Sequence, residues 1–157
     1  MRGFLCLFGP CAQKGVSELL SIHKTINGKM TRLDAVQDGC WVNLTYPSED
    51  ELNTVAVTLG VEPSFLRAAL DEEETSRIDT EEGQTLIIID APSVEKDDAV
   101  VYSTLPLGII VTEKHIITVC LKETSILKDF QDGLVRNADT QKRTQFILYM
   151  LLQVAKR

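Results

Sequence analysis

Apolar and polar positions divide the chain into short strands, two capped helices, a second run of strands and closing helices. Ser21 to Ile26 and Lys29 to Leu33 flank Asn27-Gly28. That dipeptide predicts a hairpin, because both residues of a type I′ turn need positive φ. Asp38-Gly39 marks the next turn, and Cys40-Trp41-Val42-Asn43-Leu44 reads as a buried strand. Pro47-Ser48 opens a helix, since Ser48 with Glu51 three residues on makes a capping box. Leu52, Val55, Ala56 and Leu59 follow as one apolar stripe at helical spacing, and Gly60 stops it. Pro63 begins a second, short helix with Phe65, Leu66, Ala69 and Leu70 inward. This helix is predicted to run into Asp71-Glu72-Glu73-Glu74.

Arg77 to Thr80 and Gln84 to Asp90 read as paired strands across Glu81-Glu82-Gly83. Leu86-Ile87-Ile88-Ile89 does not alternate, so it predicts a central strand covered on both faces. Glu95 to Asp98 reads as a charged turn. Three further strands are predicted: Val100 to Thr104, Leu105 to Val111 and His115 to Leu121, the last two joined at Glu113-Lys114. Ser125 to Asp132 is a short helix closed by Gly133, and a broadly apolar helix runs from Thr140 to the end. Strands, two helices, more strands and then helices make an α+β fold or a mixed three-layer sandwich.

The composition is that of one globular domain: 157 residues, 44% apolar and 25% charged. The net charge of −7 lacks the basic footprint that nucleic acid requires, so no nucleic-acid partner is expected. Residues 49 to 82 carry eleven acids against Arg67 and Arg77, a local −9. Such a run is a solvated face or a surface that attracts cations and basic partners. The longest uninterrupted apolar run, Phe146 to Leu152, is far shorter than the ~20 residues of a membrane span. Residues 1 to 20 match no period and read as an N-terminal extension ahead of a domain over 21–157. The opening Met1 to Phe8 is too short for a signal sequence and is broken by Gly9-Pro10.

Candidate chemistry is sparse. Cys6, Cys11, Cys40 and Cys120 show neither a C-x-x-C pair nor matching histidines, so they do not spell a zinc site. Cys40 and Cys120 lie in apolar strands and read as small buried hydrophobes in a reducing cytosol. His23 and His115 are expected to be structural. Asn43-Leu44-Thr45 matches a glycosylation triplet but lies in a predicted strand. No nucleotide-binding or metalloprotease motif is present, and no enzymatic activity is expected. Asp71 to Glu74 supply oxygen ligands suited to a hard cation, and on a helix Asp71 and Glu74 would share a face.

An ordered set of segments resembles a known family. Gly39 to Leu44, Pro47 with the capped acidic helix, Phe65 to Glu74, Arg77-Ile78-Asp79, Thr104 to Ile110 and His115 to Cys120 are similar to the N-terminal cytoplasmic domain of CorA-type magnesium transporters. The likeness is strongest to the short CorA-like proteins of Gram-positive bacteria and runs from about residue 21 to the end. The resemblance implies a mixed sheet sandwiched between two helical layers. It implies a homopentameric parent whose last helix here continues into a stalk and two membrane helices, with a Gly-Met-Asn signature at the pore mouth. The chain is thus expected to stop short of its stalk and pore. It would be a regulatory domain on the cytoplasmic face of the membrane, coupling the divalent-cation level to gating. Its expected partners are identical subunits, its own stalk and membrane helices, and Mg2+ or another divalent cation as transported ion. The alternative is a stand-alone binding module descended from such a domain, without transport. Relatives bind regulatory Mg2+ with paired carboxylates where this sequence has Arg67-Ala68. Asp71 and Glu74 are therefore the candidate metal ligands. No cofactor is expected beyond weak Mg2+ binding, and the chain alone is expected to be a monomer or weak dimer.

Overall fold

The computed structural model describes residues 20–97 and 99–157. The extension, with Cys6 and Cys11, lies outside the described residues except for Leu20, which opens the first strand. Strand β1 (Leu20–Ile26) turns at Asn27 (φ 51°) and Gly28 (φ 77°) into β2 (Lys29–Leu33). Strand β3 (Trp41–Thr45) leads to helix α1 (Glu49–Leu59). The capping box forms: Glu51 N donates to Ser48 Oγ (3.2 Å), and Ser48 N donates to the Glu51 carboxylate (2.8 Å). Gly60 takes the left-handed conformation (φ 63°), and Val61 N closes back on Ala56 O (3.0 Å), a Schellman ending. Helix α2 (Pro63–Ala68) follows. Then come β4 (Arg77–Glu81), β5 (Gln84–Asp97), β6 (Ala99–Val111), β7 (Ile116–Cys120), α3 (Ser125–Gln131) and α4 (Arg143–Ala155).

The seven strands form one sheet in the order β2-β1-β3-β7-β6-β5-β4. Only β3 and β7 pair in parallel, which makes the sheet mixed. The pleat sends alternate residues to opposite layers. Val42, Leu44, Leu86, Ile88, Ile110, Ile117 and Val119 pack with Leu52, Val55, Phe65 and Leu66 of α1 and α2. Trp41, Leu107, Ile109, Ile116 and Cys120 pack with Phe130, Phe146 and Met150 of α3 and α4. The sandwich of two helical layers is therefore the observed fold.

Several boundaries differ from the sequence expectation. The two strands predicted on either side of Thr104-Leu105 are one, β6. Pro106 lies one residue past the last β6–β7 partner, Leu107, so its missing N–H is placed where only β5 adjoins. The charged turn at Glu95 to Asp98 is mostly strand: β5 continues to Asp97, and Asp98 is outside the described residues. Leu86 to Ile89 is covered on both faces, but β5 is next to the sheet edge rather than central. The β4–β5 turn is Glu82-Gly83 alone, both at positive φ, with Glu81 still in β4. Helix α4 starts at Arg143 because Thr140 is held elsewhere. Thr25 N donates to Thr140 Oγ1 (3.0 Å), and Thr140 N donates to Thr25 Oγ1 (3.1 Å).

A buried polar ladder sets the register of the parallel pair. Trp41 Nε1 donates to Thr118 Oγ1 (2.8 Å), which donates to Asn43 Oδ1 (2.7 Å), whose Nδ2 reaches Thr45 Oγ1 (3.2 Å). A slip by one residue would orphan every member in an apolar layer. Asn43 is thus buried and committed, which removes the glycosylation reading.

Tyr46, just after β3, sits at φ 46°, strained for a bulky residue, and is 69% exposed. Tyr46→Gly removes a left-handed penalty of roughly 1–2 kcal/mol and adds roughly 0.5–1 kcal/mol of chain entropy. A net stabilisation of about 0.5 kcal/mol is expected in urea denaturation.

Candidate metal site

The acidic turn is placed by α2. Phe65 and Leu66 anchor that helix in the core, and Ala69 just beyond it is fully buried against β6. A Cβ added at Gly108 would lie 2.7 Å from the Ala69 Cβ, so the glycine is what admits this end of the helix. The helix does not run into Asp71 to Glu74 as expected. It ends at Ala68, tightening through Leu70 N to Arg67 O (3.0 Å) and Asp71 N to Ala68 O (3.4 Å). The Asp71 carboxylate then accepts from Glu73 N (3.0 Å), an Asx-type turn that competes with further helix. Four adjacent carboxylates also repel one another more if they are wound together.

Asp71 and Glu74 are thereby brought into one turn, with Glu74 N donating to Asp71 O (3.1 Å). Each carboxylate has a protein partner. Glu74 accepts from Thr75 N (3.0 Å) and forms an ion pair with Arg77. Arg77 Nε also donates to Asp79 (2.6 Å). The hydrogen bond to Asp79, aided by Glu74, raises the guanidinium pKa above its ordinary value. Ser76 Oγ donates to Asp90 (3.1 Å), tying the turn to β5. Among the described residues no three His, Cys, Asp or Glu side chains gather as a metal cage. Asp71 and Glu74 thus offer oxygens, but Arg77 competes with a cation for Glu74.

Arg67 and Ala68 have other roles. Arg67 reaches across to α1, donating to Glu49 Oε2 (3.0 Å from Nη2) and Asn53 Oδ1 (3.3 Å). Ala68 packs against the core. This position braces the two helices on one another.

The fold also joins two residues that sequence reasoning kept apart. Cys40 Sγ lies 3.6 Å from His115 Nδ1. Burial pushes the thiol up and the imidazole down, so both stay neutral. A thiolate–imidazolium nucleophile needs the opposite shifts, and the pair is a buried packing contact. Cys120, pushed up to about 11 by burial, is equally inert. A separation of 75 residues hid the Cys40–His115 contact from any local pattern.

The profile of the CorA-like Mg2+ transporter proteins matches residues 36–157. The chain belongs to this family. A curated relative, the cobalt/magnesium transport protein CorA of Methanocaldococcus jannaschii, is 32% identical over 79 residues. That match takes in 50% of this chain and 24% of the relative. The complete CorA structure from the same organism superposes with a TM-score of 0.69 at 19% identity, over 90% of this chain and 46% of that one. The soluble domain of that CorA superposes with a TM-score of 0.68 at 22% identity, over 85% and 54% of the two chains. At those identities the likeness carries the fold. This CorA-family chain spans about half the length of the solved relatives or less. No helix among its described residues is long and apolar enough to cross a membrane.

Proposed function

We propose that this chain is the cytoplasmic regulatory part of a CorA-type divalent-cation transporter and couples the cation level on its side of the membrane to gating. The observation that carries the reading is the family match over 36–157, which takes in both helical layers and the acidic turn. In this reading the pore belongs to the rest of a longer, homopentameric protein, and the domain itself neither conducts ions nor catalyses a reaction. The acidic faces of neighbouring copies repel. A divalent cation between them offsets the repulsion and holds the closed state, and its loss releases that state.

The chemistry of the turn suits a shared site. Mg2+ demands near-octahedral oxygens, keeps several waters and takes one or two protein carboxylates. One chain offers Asp71 and Glu74, both already engaged. A second copy would supply what one chain lacks. Reconstitution of the full gene product in liposomes tests the reading. Mg2+ uptake should fall when Mg2+ on the domain side is raised. Uptake indifferent to that Mg2+ would remove the regulatory role, and no uptake at all would favour the stand-alone binding module.

The isolated chain should bind Mg2+ only in the millimolar range by calorimetry, and Asp71→Asn with Glu74→Gln should abolish that binding. Submillimolar affinity in a monomer would contradict the shared site. Binding unchanged in the double variant would mean that other residues are the ligands.

A further inference from the structure

The segment between α3 and α4 and the β1–β2 hairpin line a half-open cavity of about 610 Å3. The Thr25–Thr140 bond pair fixes one end of this segment to β1. Gly133 (φ 69°) and Asn137 (φ 62°) turn it outward between. Met30 and Phe130 back the cavity, and Arg136, Asn137, Lys142 and Gln145 line it. Arg136 and Lys142 are exposed cations, and among the described residues neither side chain has an ion pair or hydrogen bond. In a chain of net charge −7, a wall with two unbalanced cations runs against the average. The one carboxylate on the wall, Asp139, is turned to its own chain, with Oδ1 accepting from Gln141 N (3.0 Å).

Lys142 is also the N-cap of α4, which has no side-chain cap and no acid in its first turn. The first helical bond is Phe146 N to Lys142 O (2.9 Å), so the amides of residues 143–145 have no carbonyl partner within the helix. The positive end of a 13-residue helix thus adjoins the two free cations.

We propose that this cavity binds a phosphate monoester of a small soluble molecule, with the phosphoryl oxygens held by Arg136 and Lys142. Arginine supplies a planar fork for such oxygens and lysine a mobile point charge. Lys142 and Gln145 bring the positive end of α4 to the cavity wall. The volume exceeds what inorganic phosphate fills. The rest of the wall carries the side-chain amides of Asn137 and Gln145, which suit the hydroxyls of the esterified group. This site is separate from the acidic turn, and the inference does not depend on the transport reading.

Amide NMR of the chain at fixed ionic strength tests it, with inorganic phosphate, ribose 5-phosphate and ribose as probes. Saturable shifts at residues 136–145 are expected with both phosphates, tighter with the ester, and none with ribose. Arg136→Ala with Lys142→Ala should weaken ribose 5-phosphate by about tenfold or more, a loss typical of charge-assisted contacts. Asp139→Asn keeps the acceptor for Gln141 N and should tighten binding. Shifts that do not saturate, that chloride reproduces, or that survive the double variant unchanged would overturn the proposal. Equal affinity for inorganic phosphate and the ester would overturn the assignment to a monoester.

Discussion

Gly108→Ala should destabilise the protein by about 2 kcal/mol, and Gly108→Val by about 3 kcal/mol or more. The new Cβ meets the Ala69 Cβ at 2.7 Å, and that atom is fixed to backbone and cannot swing aside. Ala69 is fully buried, so the end of α2 must lift or β6 must bend. For a chain of this size, 3 kcal/mol lowers the melting temperature by roughly 6–12 °C. The cost should be shared with one residue. In a double-mutant cycle, Ala69→Gly should recover part of the loss in the Gly108→Ala background, a coupling of about 1 kcal/mol. Additive effects in urea denaturation would mean that the clash is relieved elsewhere. Lifting α2 also moves the Asp71 to Glu74 turn, so Gly108→Ala should shift the amide resonances of residues 71–76 more than those of α4.

What the sequence made legible was local. Asn27-Gly28 specified its hairpin because the turn chemistry lies in two adjacent residues, and Ser48 with Glu51 specified the start of α1 for the same reason. Cys40 to Leu44 read as a buried strand from its apolar content alone, and β3 is buried along its whole length, with Val42 and Leu44 in one layer and Trp41 in the other. The misplaced boundaries have non-local causes. The end of α2 depends on the close approach of Gly108, some forty residues later, as well as on the self-capping of Asp71. The start of α4 depends on the bonds of Thr140 to Thr25, 115 residues before it. The continuity of β6 through Pro106 depends on where β7 stops.

The candidate site was legible as a composition and not as a geometry. The acids of residues 71–74 are evident in the sequence, as are Arg67 and Ala68 just before them. That Arg67 spends its charge on Glu49 of α1, and that Glu74 spends its own on Arg77, required the packing of helix on helix and turn on strand. The cavity beside α4 had no sequence signal, because its two cations are six residues apart in an irregular segment.

The second large effect is with pH. His23 is buried, stacks on Trp41 at 5.3 Å between ring centroids, and its Nδ1 finds no hydrogen-bond partner. Burial first, then the positive charge of Arg32 across the hairpin, lowers its pKa from 6.5 to about 4, against a smaller opposing pull from Asp132. The unfolded chain takes up a proton near pH 6.5, whereas the folded chain does so only near 4. Between these values the unfolded state binds more protons, so stability is full above 6.5 and falls as the pH drops toward 4. A difference of this size corresponds to about 3 kcal/mol when the pH has fallen through both values, and to about 1 kcal/mol of it by about pH 5.5. His115, also lowered by burial, acts in the same direction. Urea denaturation from about pH 7 to 5.5 stays more than a unit above the ordinary carboxyl range near 4, so the decline there reads mainly the histidines. Stability should decline over that window in the native chain. His23→Gln, which cannot take up the proton, should remove most of the decline, leaving the part that belongs to His115. An unchanged slope in His23→Gln would show that His23 is solvated or paired in solution, and that the stacked, orphaned imidazole over Trp41 does not govern the acid response.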